Sequence, residues 1–172
     1  VLRKLFNYRF EEGSLAGHVF GNIFISALQK TTGSFNNAMQ VIHKILKIYG
    51  KVIPVTLEDV HLIAQLKNGE IIYGEKEVTS KNKILKNNFI DKVYLNKKVP
   101  ASPDALQAIR EADFILIGPG NFYCSVVPVL LISGIKEALK KSKAKKIFIV
   151  NLVNKISHTP DYSIFDFVDK LE

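Results

Sequence analysis

The run Gly118-Pro119-Gly120-Asn121-Phe122-Tyr123-Cys124-Ser125 is the part of the chain best placed to do chemistry. It directly follows the apolar stretch DFILIG and precedes a helical pattern. Glycines let a backbone come close to a ligand. The start of a helix offers unpaired N–H groups and a partial positive charge. Asn121, Tyr123 and Ser125 add hydrogen-bonding side chains. Together these suit a phosphate or a carboxylate, although a tight strand-to-helix turn with no ligand explains the same residues. The run is not GxGxxG, and no lysine follows it as in a P-loop.

A second cluster, Gly17-His18-Val19-Phe20-Gly21-Asn22, stands where a helix should begin. Asn22 suits either a helix cap or a ligand contact. His18 suits a general base or a phosphate contact, or a plain structural hydrogen bond. The third cluster is Asn151 and the loop after KKIFIV, with Asn154, Ser157, His158 and Thr159. It reads either as the second wall of a cleft beside the Gly118 loop or as a surface turn.

Other candidates carry less. His43 and His61 have no partners at metal-ligand spacing, so no metal site is expected. Cys124 sits at a predicted helix start, which would lower its thiol pKa, and reads as a small packed side chain. Ser125 lacks the G-x-S-x-G elbow, which leaves a hydrolase triad unsupported. Asp59 and Glu75 read as solvated carboxylates near a hairpin.

These groups need a scaffold, and 172 residues that are 47% hydrophobic are enough for one α/β domain spanning 1–172. One cysteine excludes an intrachain disulfide framework and fits a reducing compartment. The net charge of +8 is spread as KN, KK and KS pairs, with few arginines and no aromatic–basic interleaving. Nucleic acid is therefore not an expected partner. No apolar run approaches the ~18 residues of a membrane helix, so no membrane insertion is expected. The chain opens on Val1, and its first residues, VLRKLFNYRF, give no expectation of a signal peptide. That reads as an internal or C-terminal part of a longer protein, incomplete at its N-terminus.

Spacing predicts a short helix within residues 1–10 and another over 23–31. A third runs over 35–49, capped by Ser34 and closed by Gly50. KVIPVT reads as a strand. VHLIAQL and EIIYGE flank the turn KNG as a β-hairpin, and NFIDKVYLN is a further strand. Ser102 and Pro103 open a helix through Ala112. DFILIG and KKIFIVN read as parallel strands buried on both faces, joined by one helix over 128–141. A last helix covers 164–171. The expected fold is α/β and Rossmann-like: a mostly parallel sheet flanked by helices, with an antiparallel hairpin insertion.

The ordered segments LFNYRF, GSLAGHVFGN, KVIPVT, the NG hairpin ending in Gly74-Glu75, PDALQAIREADFILIGPGNFYCSVVPVLL and IVNLVNK span nearly the whole chain. This series resembles the YvcK-like gluconeogenesis factors, within the wider CofD-like superfamily of 2-phospho-L-lactate transferases. Gly17, His18, Gly21 and Asn22 match GHxxGN. Gly118, Pro119, Gly120, Tyr123 and Ser125 match GPGSLYTS, and Asn151 matches the Asn of NxMTQxGET. The chain departs from these patterns at Asn121, Phe122 and Cys124, and again at Asn154, Lys155, Ser157 and His158. The family's GGGTG-like and DDGGSSG-like segments would precede Val1. Without them the two buried strands would want a neighbour from a missing segment or a partner chain.

The resemblance implies a cytoplasmic regulator that binds a nucleotide or a UDP-sugar and serves carbon metabolism, cell-wall precursor balance and cell shape. No cofactor is certain on this reading, and a homo-oligomer is a further expectation. The Gly118–Ser125 loop would grip phosphates, with His18 and Asn22 facing it and Asn151 completing the cleft. The alternative is a transferase moving a phospholactyl-type group from a nucleotide-activated donor to an acceptor alcohol. A third reading is a remnant that acts only through protein contacts.

Overall fold

The computed structural model describes residues 1–47, 49–79 and 88–171. The chain forms two compact units, Val1–Pro54 and Val55–Glu172, which are described one at a time.

The first unit is helical. α1 (Leu2–Phe6), α2 (Phe20–Thr32) and α3 (Phe35–Leu46) follow in order. Phe6 meets Phe20 and Phe24 edge to face, with ring centroids 5.6 and 5.2 Å apart. These are favourable geometries for the aromatic quadrupole. α2 begins earlier than its spacing suggests and takes Gly21 and Asn22 into its first turn. Ser34 caps α3 as expected, accepting from the Asn37 N–H. The helix stops at Leu46, however, because Lys47 adopts the left-handed conformation expected of Gly50. Residue 48 lies outside the described residues.

The second unit carries both sheets. β1 (Leu62–Leu66) and β2 (Ile71–Tyr73) form the expected hairpin. Gly69 supplies the positive φ of its tight turn. β1 also pairs antiparallel with β3 (Ile90–Leu95), giving the order β2-β1-β3. α4 (Glu75–Thr79) follows the hairpin. Ser102 caps α5 (Pro103–Glu111) with Pro103 in the first turn, as the sequence predicts. β4 (Phe114–Ile117) and β5 (Lys145–Phe148) pair in parallel. Between them lie a π-helical turn over Phe122–Val126, α6 (Val127–Leu131) and α7 (Ile135–Lys141). α8 (Ile164–Asp169) closes the chain behind a Ser163–Asp166 capping box.

Three further expectations change. KVIPVT forms no strand. Pro54 has no N–H for a ladder, and Val55 instead accepts from the Ser102 N–H at 2.7 Å. The helix expected over 128–141 is two helices, because Gly134 turns left-handed while Ser133 bridges backbone-to-backbone to Val99 and Ala101. β4 and β5 are not buried on both faces. Their parallel register puts Phe114, Leu116 and Ile147 on one face, and these are 64%, 61% and 39% exposed.

The core explains what carries the Gly118 loop. Phe122, Tyr123, Cys124 and Val126 are buried together with Leu62, Ala64, Leu66 and Ile90 of the antiparallel sheet. The loop thus starts on the parallel pair and is anchored on the antiparallel one.

Candidate ligand site

The loop begins where β4 ends. Gly118 has φ +80, and a Cβ there would lie 3.0 Å from the Ile149 carbonyl oxygen. Only glycine meets both conditions without strain. The Gly118–Pro119 peptide is cis. Two residues beyond Ile149, the Asn151 side-chain amide donates to the Gly120 carbonyl at 3.0 Å. The carboxyl ends of both parallel strands are thereby tied to one loop, the place where open α/β sheets bind ligands.

The π-helical turn fixes which N–H groups are taken up within the loop. The Asn121 carbonyl accepts from Cys124, Ser125 and Val126 at 3.2, 2.7 and 3.2 Å. Among the described residues no carbonyl accepts from the N–H groups of Gly120, Asn121, Phe122 or Tyr123. Backbone donors so grouped suit an anion.

Side chains divide sharply. Ser125 is exposed, Asn121 and Gly120 are half-buried, and Pro119 is exposed. Tyr123 is buried, with its hydroxyl 2.6 Å from that of Tyr162. Burial, that hydrogen bond and nearby negative charge push its phenol far above the usual tyrosine range. Cys124 is buried and accepts from the Thr79 hydroxyl at 3.5 Å. Burial raises its thiol pKa, so the lowering expected from a helix start does not prevail.

His158, a candidate from the Asn151 loop, is 1% exposed and joins two segments. Its Nε2 lies 2.9 Å from the Val78 carbonyl, and its Nδ1 lies 3.0 Å from Asn121 Oδ1. A carbonyl only accepts, so Nε2 carries the proton. Burial lowers the pKa of the ring and favours its neutral form. Nδ1 then accepts, which selects the amide orientation of Asn121 that offers N–H. Thr159 is buried as well, and its hydroxyl accepts from the Lys155 N–H. Asn154 donates to the Tyr162 carbonyl. Much of the loop that read as ligand-facing therefore braces the Gly118 loop from behind.

The structure brings Gly118, Pro119, Gly120, Asn121, Tyr123, Ser125 and Asn151 together within the second unit. Gly17, His18, Gly21 and Asn22 cluster within the first. Gly17 has φ +83, and its carbonyl accepts from Arg9 at 2.7 Å. Gly21 is a packing residue, since a Cβ there would stand 2.8 Å from the Phe6 carbonyl oxygen. His18 and Asn22 are exposed, and the α2 cap position is Val19 rather than Asn22. Tyr162 was not legible as a partner of Tyr123, because 39 residues separate them.

The family model described as 2-phospho-L-lactate transferase CofD matches residues 1–172. The chain belongs to the CofD family. A family relative from Thermotoga maritima is 41% identical over 172 residues, covering 100% of this chain and 53% of its own. One from Listeria innocua, named a gluconeogenesis factor, is 38% identical over 165 residues, covering 95% of this chain and 50% of its own. A crystal structure of a UPF0052-family protein from Bacillus halodurans matches with a TM-score of 0.86 and 36% identity. It aligns with 98% of this chain and 53% of that one. The chain thus spans about half the length of the CofD-family relatives it matches. The likeness supports the α/β fold and, through the relatives' names, the gluconeogenesis-factor branch. Among the described residues no helix is long and apolar enough to cross a membrane.

Proposed function

We propose that the chain is the phosphate-gripping part of a cytoplasmic regulatory protein that binds a nucleotide-sugar such as a UDP-sugar. The observation that carries this reading is the Gly118–Ser125 loop. It stands at the carboxyl ends of β4 and β5, is clamped at the Gly120 carbonyl by Asn151, and has four backbone N–H groups that donate to no backbone carbonyl among the described residues. Phosphate oxygens are the natural acceptors for such donors. The names of the relatives connect the reading to carbon metabolism, and the resemblance extends it to cell-wall precursor balance and cell shape. Homo-oligomerisation belongs to the same proposal.

The test is calorimetric titration of the intact gene product with UDP-sugars, UDP and inorganic phosphate. Selective UDP-sugar binding is expected, and Gly120→Val should weaken it by about tenfold or more, which is 1.4 kcal/mol or more. Heat-silent titrations with every nucleotide, confirmed by an unmoved melting midpoint, would overturn the reading.

The description of the family model favours a second reading, transfer of a phospholactyl-type group to an acceptor alcohol. Turnover of a nucleotide-activated phospholactate by the intact protein would establish it.

A further inference from the structure

The second unit contains a cleft of about 320 Å³ that borders the Gly-rich loop at Cys124 and Ser125. A Cβ on Gly120 would lie 3.3 Å from the Ser125 Cβ, so the cleft adjoins the Gly-rich loop. Its walls are mainly aliphatic, with Val60, Leu95 and Ile132 among them. Its other polar side chains come from Thr56, His61 and Glu75.

We infer that this cleft takes the sugar ring of the ligand, a neutral and hydroxyl-rich group, while the phosphates lie at the Gly118–Ser125 loop. The inference rests on the nucleotide-sugar reading above and adds to it where the ring goes and what the cleft rejects.

Size comes first. Small-molecule pockets run from about 300 to 1,000 Å³, and this one is at the bottom of that range. It suits one ring rather than a whole nucleotide. Chemistry comes second. Sugar hydroxyls both donate and accept. Glu75 offers a pure acceptor, Ser125 a hydroxyl of either kind, and His61 a ring nitrogen. Thr56 already accepts from the Glu58 N–H at 3.2 Å, which leaves its O–H to donate. Aliphatic walls suit the C–H faces of a ring. Charge comes third. Among the described residues lining the cleft there is no lysine or arginine. Asp59 stands 3.9 Å from Nε2 of His61, a lining residue, and adds negative charge there. A carboxylate-bearing group, such as a phospholactyl chain or a uronic acid, would meet Glu75 with no lysine or arginine among the described lining residues to balance it.

The experiment titrates the intact gene product with UDP, UDP-glucose and UDP-glucuronate, and repeats this for Val129→Phe and Glu75→Gln. Val129 lines the cleft but is 40% exposed, so a larger side chain there fills space without entering the core. The parent should prefer UDP-glucose to UDP by about tenfold. Val129→Phe should erase that preference, and Glu75→Gln should narrow the discrimination against UDP-glucuronate by about fivefold or more. Melting midpoints check that both variants are folded. If the parent prefers UDP-glucose but both variants keep the parent's ratios, the cleft assignment is wrong and the nucleotide-sugar reading stands. If the parent binds UDP-glucose no better than UDP, the cleft assignment falls as well. If it binds no nucleotide, both fall together.

Discussion

His158 reaches Asn121 across 37 residues of sequence, with its Nδ1 3.0 Å from the Asn121 side-chain amide, while its Nε2 lies 2.9 Å from the Val78 carbonyl. One buried imidazole therefore spans α4 and the Gly-rich loop. Asn121 also carries the carbonyl that gathers the N–H groups of Cys124, Ser125 and Val126. The ring thus helps set the geometry of the loop without facing its open side.

Removing that ring should be costly. His158→Ala leaves the Val78 carbonyl and the Asn121 amide without a partner in a buried site and opens a cavity. A loss of about 2 to 4 kcal/mol is expected from these two effects. Urea unfolding of the parent and the variant measures it. A loss below about 1 kcal/mol would show that the ring is not a brace.

The same ring makes stability depend on pH in a defined direction. Burial pulls its pKa below the ordinary 6.5. Between the folded value and 6.5 the unfolded chain binds more protons, so stability falls as pH falls. The loss starts near the unfolded value and continues down through the folded one, with a slope of at most about 1.4 kcal/mol per pH unit. Urea midpoints from pH 8 to pH 5.5 should show this slope in the parent, and His158→Gln should flatten it.

Gly118→Ala should destabilise more than Gly69→Ala, although both positions have positive φ. A Cβ at Gly69 meets open space, while one at Gly118 meets the Ile149 carbonyl oxygen at 3.0 Å. About 1 kcal/mol is expected at Gly69 from backbone strain alone. About 2 to 3 kcal/mol is expected at Gly118, where the backbone just after β5 must also shift. Equal losses in thermal unfolding would show that the close approach carries no weight.

Tyr123 and Tyr162 should behave as a coupled pair. Each single Tyr→Phe change leaves the other hydroxyl without its 2.6 Å partner. A double-mutant cycle should return a coupling of about 0.5 to 1.5 kcal/mol. Independent effects would mean that the hydroxyls find other partners.

Gly21→Ala tests the first unit by itself. Alanine favours a helix, yet its Cβ would stand 2.8 Å from the Phe6 carbonyl oxygen. The close approach should outweigh helix propensity and destabilise by about 1 to 3 kcal/mol. A more stable variant would place the helical preference first.

Local chemistry made much of this protein readable in advance. Ser34 and Ser102 stand before helices, and each accepts from a backbone N–H in the first turn. Asn68-Gly69 closes the hairpin between two apolar runs, and Gly118-Pro119-Gly120 ends a parallel strand. Each signal acts over a few residues, through caps, turn conformations and apolar spacing, so it is present in the sequence itself. Where an element breaks or gains an exposed face was not readable in the same way. Lys47 instead of Gly50 ends α3, Ser133-Gly134 splits one expected helix, and Leu116 and Phe114 remain open on β4. The roles of His158 and Tyr123 likewise depend on contacts 80 and 39 residues away. A histidine in a polar loop and a tyrosine in a glycine-rich run have the same local pattern whether they face solvent, ligand or core. Burial and a distant hydrogen-bond partner distinguish those outcomes, and both exist only once the chain has folded.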